Sequence, residues 1–207
     1  MRIKEKINII YNALDENSPK HIEFLTADTT WQLLMCIILS AQTTDRQVMK
    51  VAPVLFNRFP TLYSLSKADV SEIKECIKSI GFYNAKANNI KLTATSLVND
   101  YNEEVPLDIK KLTSLPGVGR KTANCIIGHT TGKGAVIVDT HFKRVVNRLG
   151  LVKTEDPEKI EESIKKLLPS EKQFRFSMTA NLFGREICHS RSPECDKCYL
   201  KKYCIVI

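Results

Sequence analysis

No stretch of this sequence reaches 18 uninterrupted apolar residues, so it offers no candidate for a membrane-spanning helix. The first residues, MRIKEKINIIYNAL, mix charge into their apolar positions and lack the apolar core of a signal peptide. There is no internal repeat and no low-complexity linker. Without an export signal, seven cysteines do not imply disulfides. These absences leave a water-soluble chain, expected in the cytoplasm. Its length of 207 residues, 43% of them apolar, suffices for one large domain or two small ones.

The charge is unevenly placed. Residues 108–153 hold nine Lys and Arg against Asp108 and Asp139, which is +7 of the total +8. A basic segment of this kind is the footprint of a polyanion binder, or simply a solvated face.

Periodicity is helical nearly throughout, and the fold class is all-α. Ile3, Ile7, Ile10 and Leu14 mark one face of a first helix. TTWQLLMCIILS (29–40) is apolar almost all round, which predicts a buried helix. Thr44 or Asp45 can cap a helix running to about Arg58. A further helix is expected from Lys67 to Ser79, with Gly81 as its left-handed stop. An amphipathic helix follows over 84–101. Ser170 and Gln173 have the spacing of a capping box that opens a helix to about Ile187. The strand-like run Ala135–Val138 has no evident partner and reads as a buried connector.

Residues 112–124 read LTSLPGVGRKTAN. Pro116 cannot continue the preceding helix. Gly117 and Gly119 allow a tight turn, and Arg120 restarts a helix. Backbone N–H groups left bare beside a helix N-terminus form an anion site that suits a backbone phosphate. Such contacts position a duplex without reading its sequence. Lys121 falls in the first turn of the second helix, where the dipole disfavours an ammonium. An amine there suits attack on carbon. By spacing alone the reading of Lys121 as one more phosphate-binding cation prevails. Asp139, in VDTH, has the pattern of a helix N-cap. His141 stands two residues later, with no role fixed by pattern.

Cys36, Cys76 and Cys125 sit in apolar surroundings and read as core residues. Cys188, Cys195, Cys198 and Cys204 are spaced C-x6-C-x2-C-x5-C. Four soft donors this close suit zinc or an iron–sulfur cluster, and the long arms around one CxxC favour the larger object.

LPGVGRKTAN and VDTH, together with LSAQTTD (39–45), IGFYNAKA (80–87), VNRLG (146–150) and the cysteine tail, resemble the endonuclease III branch of the helix-hairpin-helix DNA glycosylases. The resemblance covers nearly the whole chain. It implies excision of oxidised pyrimidines from duplex DNA. Lys121 would be the amine that attacks C1′ and forms a Schiff base, and Asp139 the catalytic carboxylate. β-Elimination at the abasic site would then break the strand. The alternative is a non-catalytic helix-hairpin-helix module with a structural metal site.

The resemblance also implies a nucleotide flipped from the stack, with Gln42 and Phe82 filling its place. Read without it, Phe82 is a contact sealing a turn. Residues expected against DNA are Gln42, Phe82, Leu115, Gly117, Val118, Gly119, Arg120, His141, Arg144 and Arg191. Lys86 and Lys91 are expected to meet phosphate or water. The four tail cysteines would carry a [4Fe-4S] cluster. The implied partner is double-stranded DNA with damaged bases or abasic sites, bound by a monomer. Two lobes are implied, with DNA in the groove between them and Lys121 and Asp139 facing each other across it. One is a six-helix barrel of residues 23–133 carrying the hairpin motif at about 108–130. The other joins 1–22 to 134–207 and includes the cluster loop, 188–204.

Overall fold

The computed structural model describes residues 1–206. Among these residues there are eleven α-helices and no strand. They are α1 (Ile3–Glu16), α2 (Thr30–Ser40), α3 (Asp45–Arg58), α4 (Leu62–Lys67), α5 (Val70–Ile77), α6 (Tyr83–Asp100), α7 (Ile109–Thr113), α8 (Arg120–Thr131), α9 (Thr140–Arg148), α10 (Pro157–Leu167) and α11 (Ser170–Glu186). None of them is long and apolar enough to cross a membrane. The chain divides into a continuous unit, Glu23–Ile126, and a split unit, Met1–Ile22 with Ile127–Ile207.

In the continuous unit α6 packs against α2, α4 and α5, and α3 packs against α2 and α5. Leu34 to Leu39 of α2 are all buried, as its apolar circumference requires. Thr29 and Gln32 close its first turn: the Gln32 N–H donates to Thr29 Oγ1 at 3.3 Å, and the Thr29 N–H to Gln32 Oε1 at 3.1 Å. Thr44 caps α3 by accepting from the Gln47 N–H.

The helix expected from Lys67 to Ser79 is two helices. Ala68 is extended, and the Asp69 N–H donates to Glu72 Oε2, so a new N-terminus opens at Val70. The left-handed residue after α5 is Phe82, with φ +57°, and not Gly81. Cys36 is buried, and desolvation pushes its thiol up to about 12. Cys76 and Cys125 are only half-buried, so the core reading applies to Cys36 alone.

The split unit is built on α11, which packs against α1, α9 and α10. Ile7, Ile10 and Leu14 of α1 are fully buried in its core, while Ile3, the first residue of the helix, is exposed. Phe142 of α9 meets Phe176 of α11 edge to face at 5.6 Å. Residues 135–137 are buried without strand pairing, as a connector should be. The capping box expected at Ser170 does not form. Pro169 occupies the cap position. Gln173 turns back instead, donating to the Leu168 carbonyl at 2.8 Å and the Lys165 carbonyl at 3.3 Å at the end of α10.

Candidate functional site

The hairpin between α7 and α8 is held from inside the continuous unit. The Leu115 N–H donates to the Leu112 carbonyl and the Val118 N–H to the Leu115 carbonyl, both at 3.1 Å. Thr93 on α6 donates its hydroxyl to the Pro116 carbonyl at 2.8 Å. Gly117 has φ +76°, and a Cβ there would stand 2.8 Å from Asn89 Nδ2 and 2.9 Å from Asn89 Cβ. Only glycine satisfies both the turn and the close approach. Gly119 has neither constraint: its φ is ordinary and nothing lies within 4 Å of an added Cβ. The N–H groups of Gly117 and Gly119 find no partner among the described residues, which leaves two donors for an anion.

Leu115 and Val118 were expected against DNA, but their side chains are 4% and 5% exposed and their N–H groups are taken internally. They anchor the hairpin instead of presenting a surface. Arg120 is half-buried. Lys121 is exposed in the first turn of α8, with no hydrogen-bond or ion-pair partner among the described residues.

A second exposed edge of the same unit joins two loops. Gln42 and Phe82 are both non-glycine residues in the left-handed region, with φ +52° and +57°. Each such residue costs of order 1–3 kcal/mol. The Phe82 side chain is 67% exposed, so it does not seal its turn. The loops touch: a Cβ on Gly81 would lie 4.0 Å from the Gln42 carbonyl oxygen. Gln47 donates to Ser79 Oγ at 3.1 Å.

Lys86, expected to meet phosphate or water, is only 5% exposed and donates to Thr43 Oγ1 at 2.6 Å. Burial holds its ammonium below the usual lysine value. It shares the buried stripe of α6 with Ile90, Ala94 and Leu97, and that spacing was the signal that could have placed it. Lys91 donates to the Ala68 carbonyl at 2.6 Å and is likewise structural.

In the split unit Asp139 caps α9. Its Oδ1 accepts from the Phe142 N–H at 2.8 Å, and its Oδ2 accepts from Asn181 Nδ2 on α11. The pattern of VDTH pointed to the first bond, but Asn181 was not singled out from the sequence. His141 is half-buried, with Nδ1 3.3 Å from Arg144 Nη2. Arg144 was expected against DNA. Its guanidinium is committed internally, donating to the Cys188 carbonyl at 2.9 Å and the Gly184 carbonyl at 2.7 Å. Those acceptors are bare carbonyls at the end of α11, which a nearby cation satisfies.

Arg148 holds the following loop in the same way. It donates to the His189 carbonyl at 2.7 Å, the Ser190 carbonyl at 3.1 Å and Cys188 Sγ at 3.4 Å. Arg191 is exposed on that loop, with no partner among the described residues.

Cys188, Cys195, Cys198 and Cys204 line one cavity of about 300 Å³, whose remaining wall includes Leu149, Phe183, Ile187 and Val206. Among the described residues, no three His, Cys, Asp or Glu side chains are grouped tightly enough to hold a single metal ion. Burial pushes the Cys198 thiol up, and the other three sulfurs add to the effect.

The hairpin thus presents two free N–H donors, and an exposed lysine amine stands two residues past Gly119. The chain belongs to the HhH-GPD superfamily of base excision DNA repair proteins, whose model matches residues 35–170. Within that superfamily it is similar to the endonuclease III of Synechocystis sp., at 44% identity across 87% of this chain and 83% of the relative. It is also similar to the endonuclease III of Escherichia coli K12, at 37% identity across 94% and 92%. A solved endonuclease III trapped as a covalent intermediate with DNA superposes with a TM-score of 0.92. It shares 35% identity, over 99% of this chain and 97% of that one.

Proposed function

We propose that this base excision repair enzyme, a DNA glycosylase with an attached lyase, acts on oxidised pyrimidines in duplex DNA through Lys121 and Asp139. The observation that carries the proposal is the exposed, unpartnered amine of Lys121, two residues beyond a hairpin with two free N–H groups. The Gly117 and Gly119 amides hold a phosphate oxygen of the strand. Gln42 and Phe82 occupy the space left when the damaged nucleotide leaves the stack. The neutral Lys121 Nζ attacks C1′, and the base departs with the electrons of the glycosidic bond and takes up a proton. Nitrogen then loses a proton to O4′ as the sugar ring opens, leaving a protonated imine between C1′ and Nζ. Removal of a proton from C2′ expels the 3′ phosphate. Hydrolysis of the imine returns the lysine. Asp139 supplies negative charge to the cationic sugar and accepts protons in these transfers.

The four tail cysteines would hold a [4Fe-4S] cluster. The support is their placement around one apolar cavity, with Arg148 donating to Cys188 Sγ. When bound, the cluster supplies positive charge to four thiolates and fixes the loop that carries Arg191.

Borohydride trapping tests the nucleophile. Wild type incubated with abasic duplex should yield a covalent protein–DNA adduct on reduction, and Lys121→Gln should yield none. An adduct of undiminished amount in the variant would overturn the assignment. A brown solution with sulfide and iron would support the cluster, and a colourless protein with stoichiometric zinc would refute it.

A further inference from the structure

Helix α11 carries two polar side chains one turn apart, Ser177 and Asn181, among the buried Phe176, Ala180 and Phe183. Both act on the connector leading into α9. Ser177 Oγ accepts from the Ile137 N–H at 3.2 Å, and Asn181 Nδ2 donates to Asp139 Oδ2. The spacings match. Four residues of helix rise about 6 Å, and two residues of extended chain advance about 6.6 Å. A third tie, from the Gly134 N–H to the Ser170 carbonyl at 2.9 Å, begins the same rail. The connector is thus laid along α11 and delivers Asp139 in a set orientation.

Asn181 itself is 6% exposed, and its Oδ1 is buried with no partner among the described residues. A buried amide with half its polar capacity unused is a liability in a packed core. An apolar residue would avoid that cost. What the amide provides is a neutral donor to the one carboxylate oxygen that the helix cap leaves over. The cap alone fixes a single oxygen of Asp139 and leaves the group free to turn about that bond. The amide removes the freedom without adding a charge.

We propose that Asn181 is a positioning residue for Asp139, locking the carboxylate plane through Oδ2 while the Phe142 N–H holds Oδ1. This rests on the reading of Asp139 as the catalytic carboxylate. Asn181→Leu is expected to lower the single-turnover rate of base release roughly 10- to 100-fold, the usual cost of losing a group that orients another. Its affinity for a duplex bearing a tetrahydrofuran abasic analogue should stay at the wild-type value. An unchanged rate, or a loss of affinity as large as the loss of rate, would overturn the assignment.

Asn181→Asp keeps the shape and serves if the leucine variant does not fold. Two touching carboxyl groups share one proton, so at acid pH one of them supplies the hydrogen that the amide supplied. The ratio of wild-type to variant rate should therefore shrink as pH falls. His141, Lys143 and Arg144 on α9 and Arg185 and Glu186 on α11 are the same residues in both proteins, so the carboxyl at 181 is the one titratable group that differs between them. A ratio that is constant with pH would count against the proposal. Asp139→Asn, measured in parallel, separates the two claims. If it retains the wild-type rate, the catalytic reading of Asp139 fails. If it is slow while both Asn181 variants are fast, only the positioning role fails.

Discussion

Lys86 and Thr43 are joined by a 2.6 Å hydrogen bond from a buried ammonium to a hydroxyl, 43 residues apart in the chain. The bond ties the loop bearing Gln42 to the helix that starts at the Phe82 turn. Two exposed residues in costly backbone conformations are thereby backed by one internal strut.

That strut has a pH signature. The Lys86 ammonium is held below its usual value by burial. In the unfolded chain the group titrates near 10.4. The penalty on the folded state is therefore fully present below the folded-state value, and it fades as pH rises through that value toward the unfolded one. In urea denaturation, the stability of wild type relative to Lys86→Met should improve between neutral pH and about pH 10. A difference that moves the other way would show that the ammonium is stabilised in place.

Phe82 should separate stability from activity. Phe82→Gly relieves a left-handed residue, worth about 1–2 kcal/mol, against about 0.5–1 kcal/mol of added unfolded-state freedom. The melting temperature should hold or rise slightly. Base excision should fall about 10-fold or more, since the wedge proposed to support an extruded nucleotide is gone. If excision kept its rate, Phe82 would have no place in nucleotide extrusion.

The two hairpin glycines should respond differently to alanine. At Gly117 a methyl group meets both a positive φ and Asn89, so the variant should lose about 2 kcal/mol or more of stability in denaturant titrations. At Gly119 nothing obstructs the methyl from within the protein. Gly119→Ala should melt like wild type while binding duplex DNA more weakly, because the methyl crowds an approaching phosphate. Equal losses of stability at the two positions would contradict this division.

Removal of one sulfur should act locally. Cys198→Ser is expected to lose the visible absorbance of the proposed cluster and to become sensitive to protease beyond Ile187. The packing of α1, α9 and α11 around Phe142 and Phe176 should persist in far-ultraviolet circular dichroism. Loss of the whole helical signal would mean that the cysteine loop holds up the entire split unit.

Local order determined what could be read directly from the chain. Apolar patterns placed α2 and α6 within a residue or so, the cap at Thr44 placed α3, and an apolar stripe marked the inner face of α1. Pro116 and Gly117 marked the hairpin, and the cysteine spacing marked one cavity wall. These signals depend on neighbours a few residues apart, so the chain carries them openly. The break at Asp69 was also local, and the Asp69–Glu72 pair was there to be read.

Other features depended on partners that periodicity does not reveal. Arg144 looked like a cation for phosphate until the end of α11 offered it carbonyls. Lys86 looked solvated until α6 was seen to turn it inward against Thr43. Asn181 had no meaning before Asp139 was laid beside it, 42 residues away in sequence. A polar side chain takes its role from whatever group it meets, and tertiary packing alone decides that meeting.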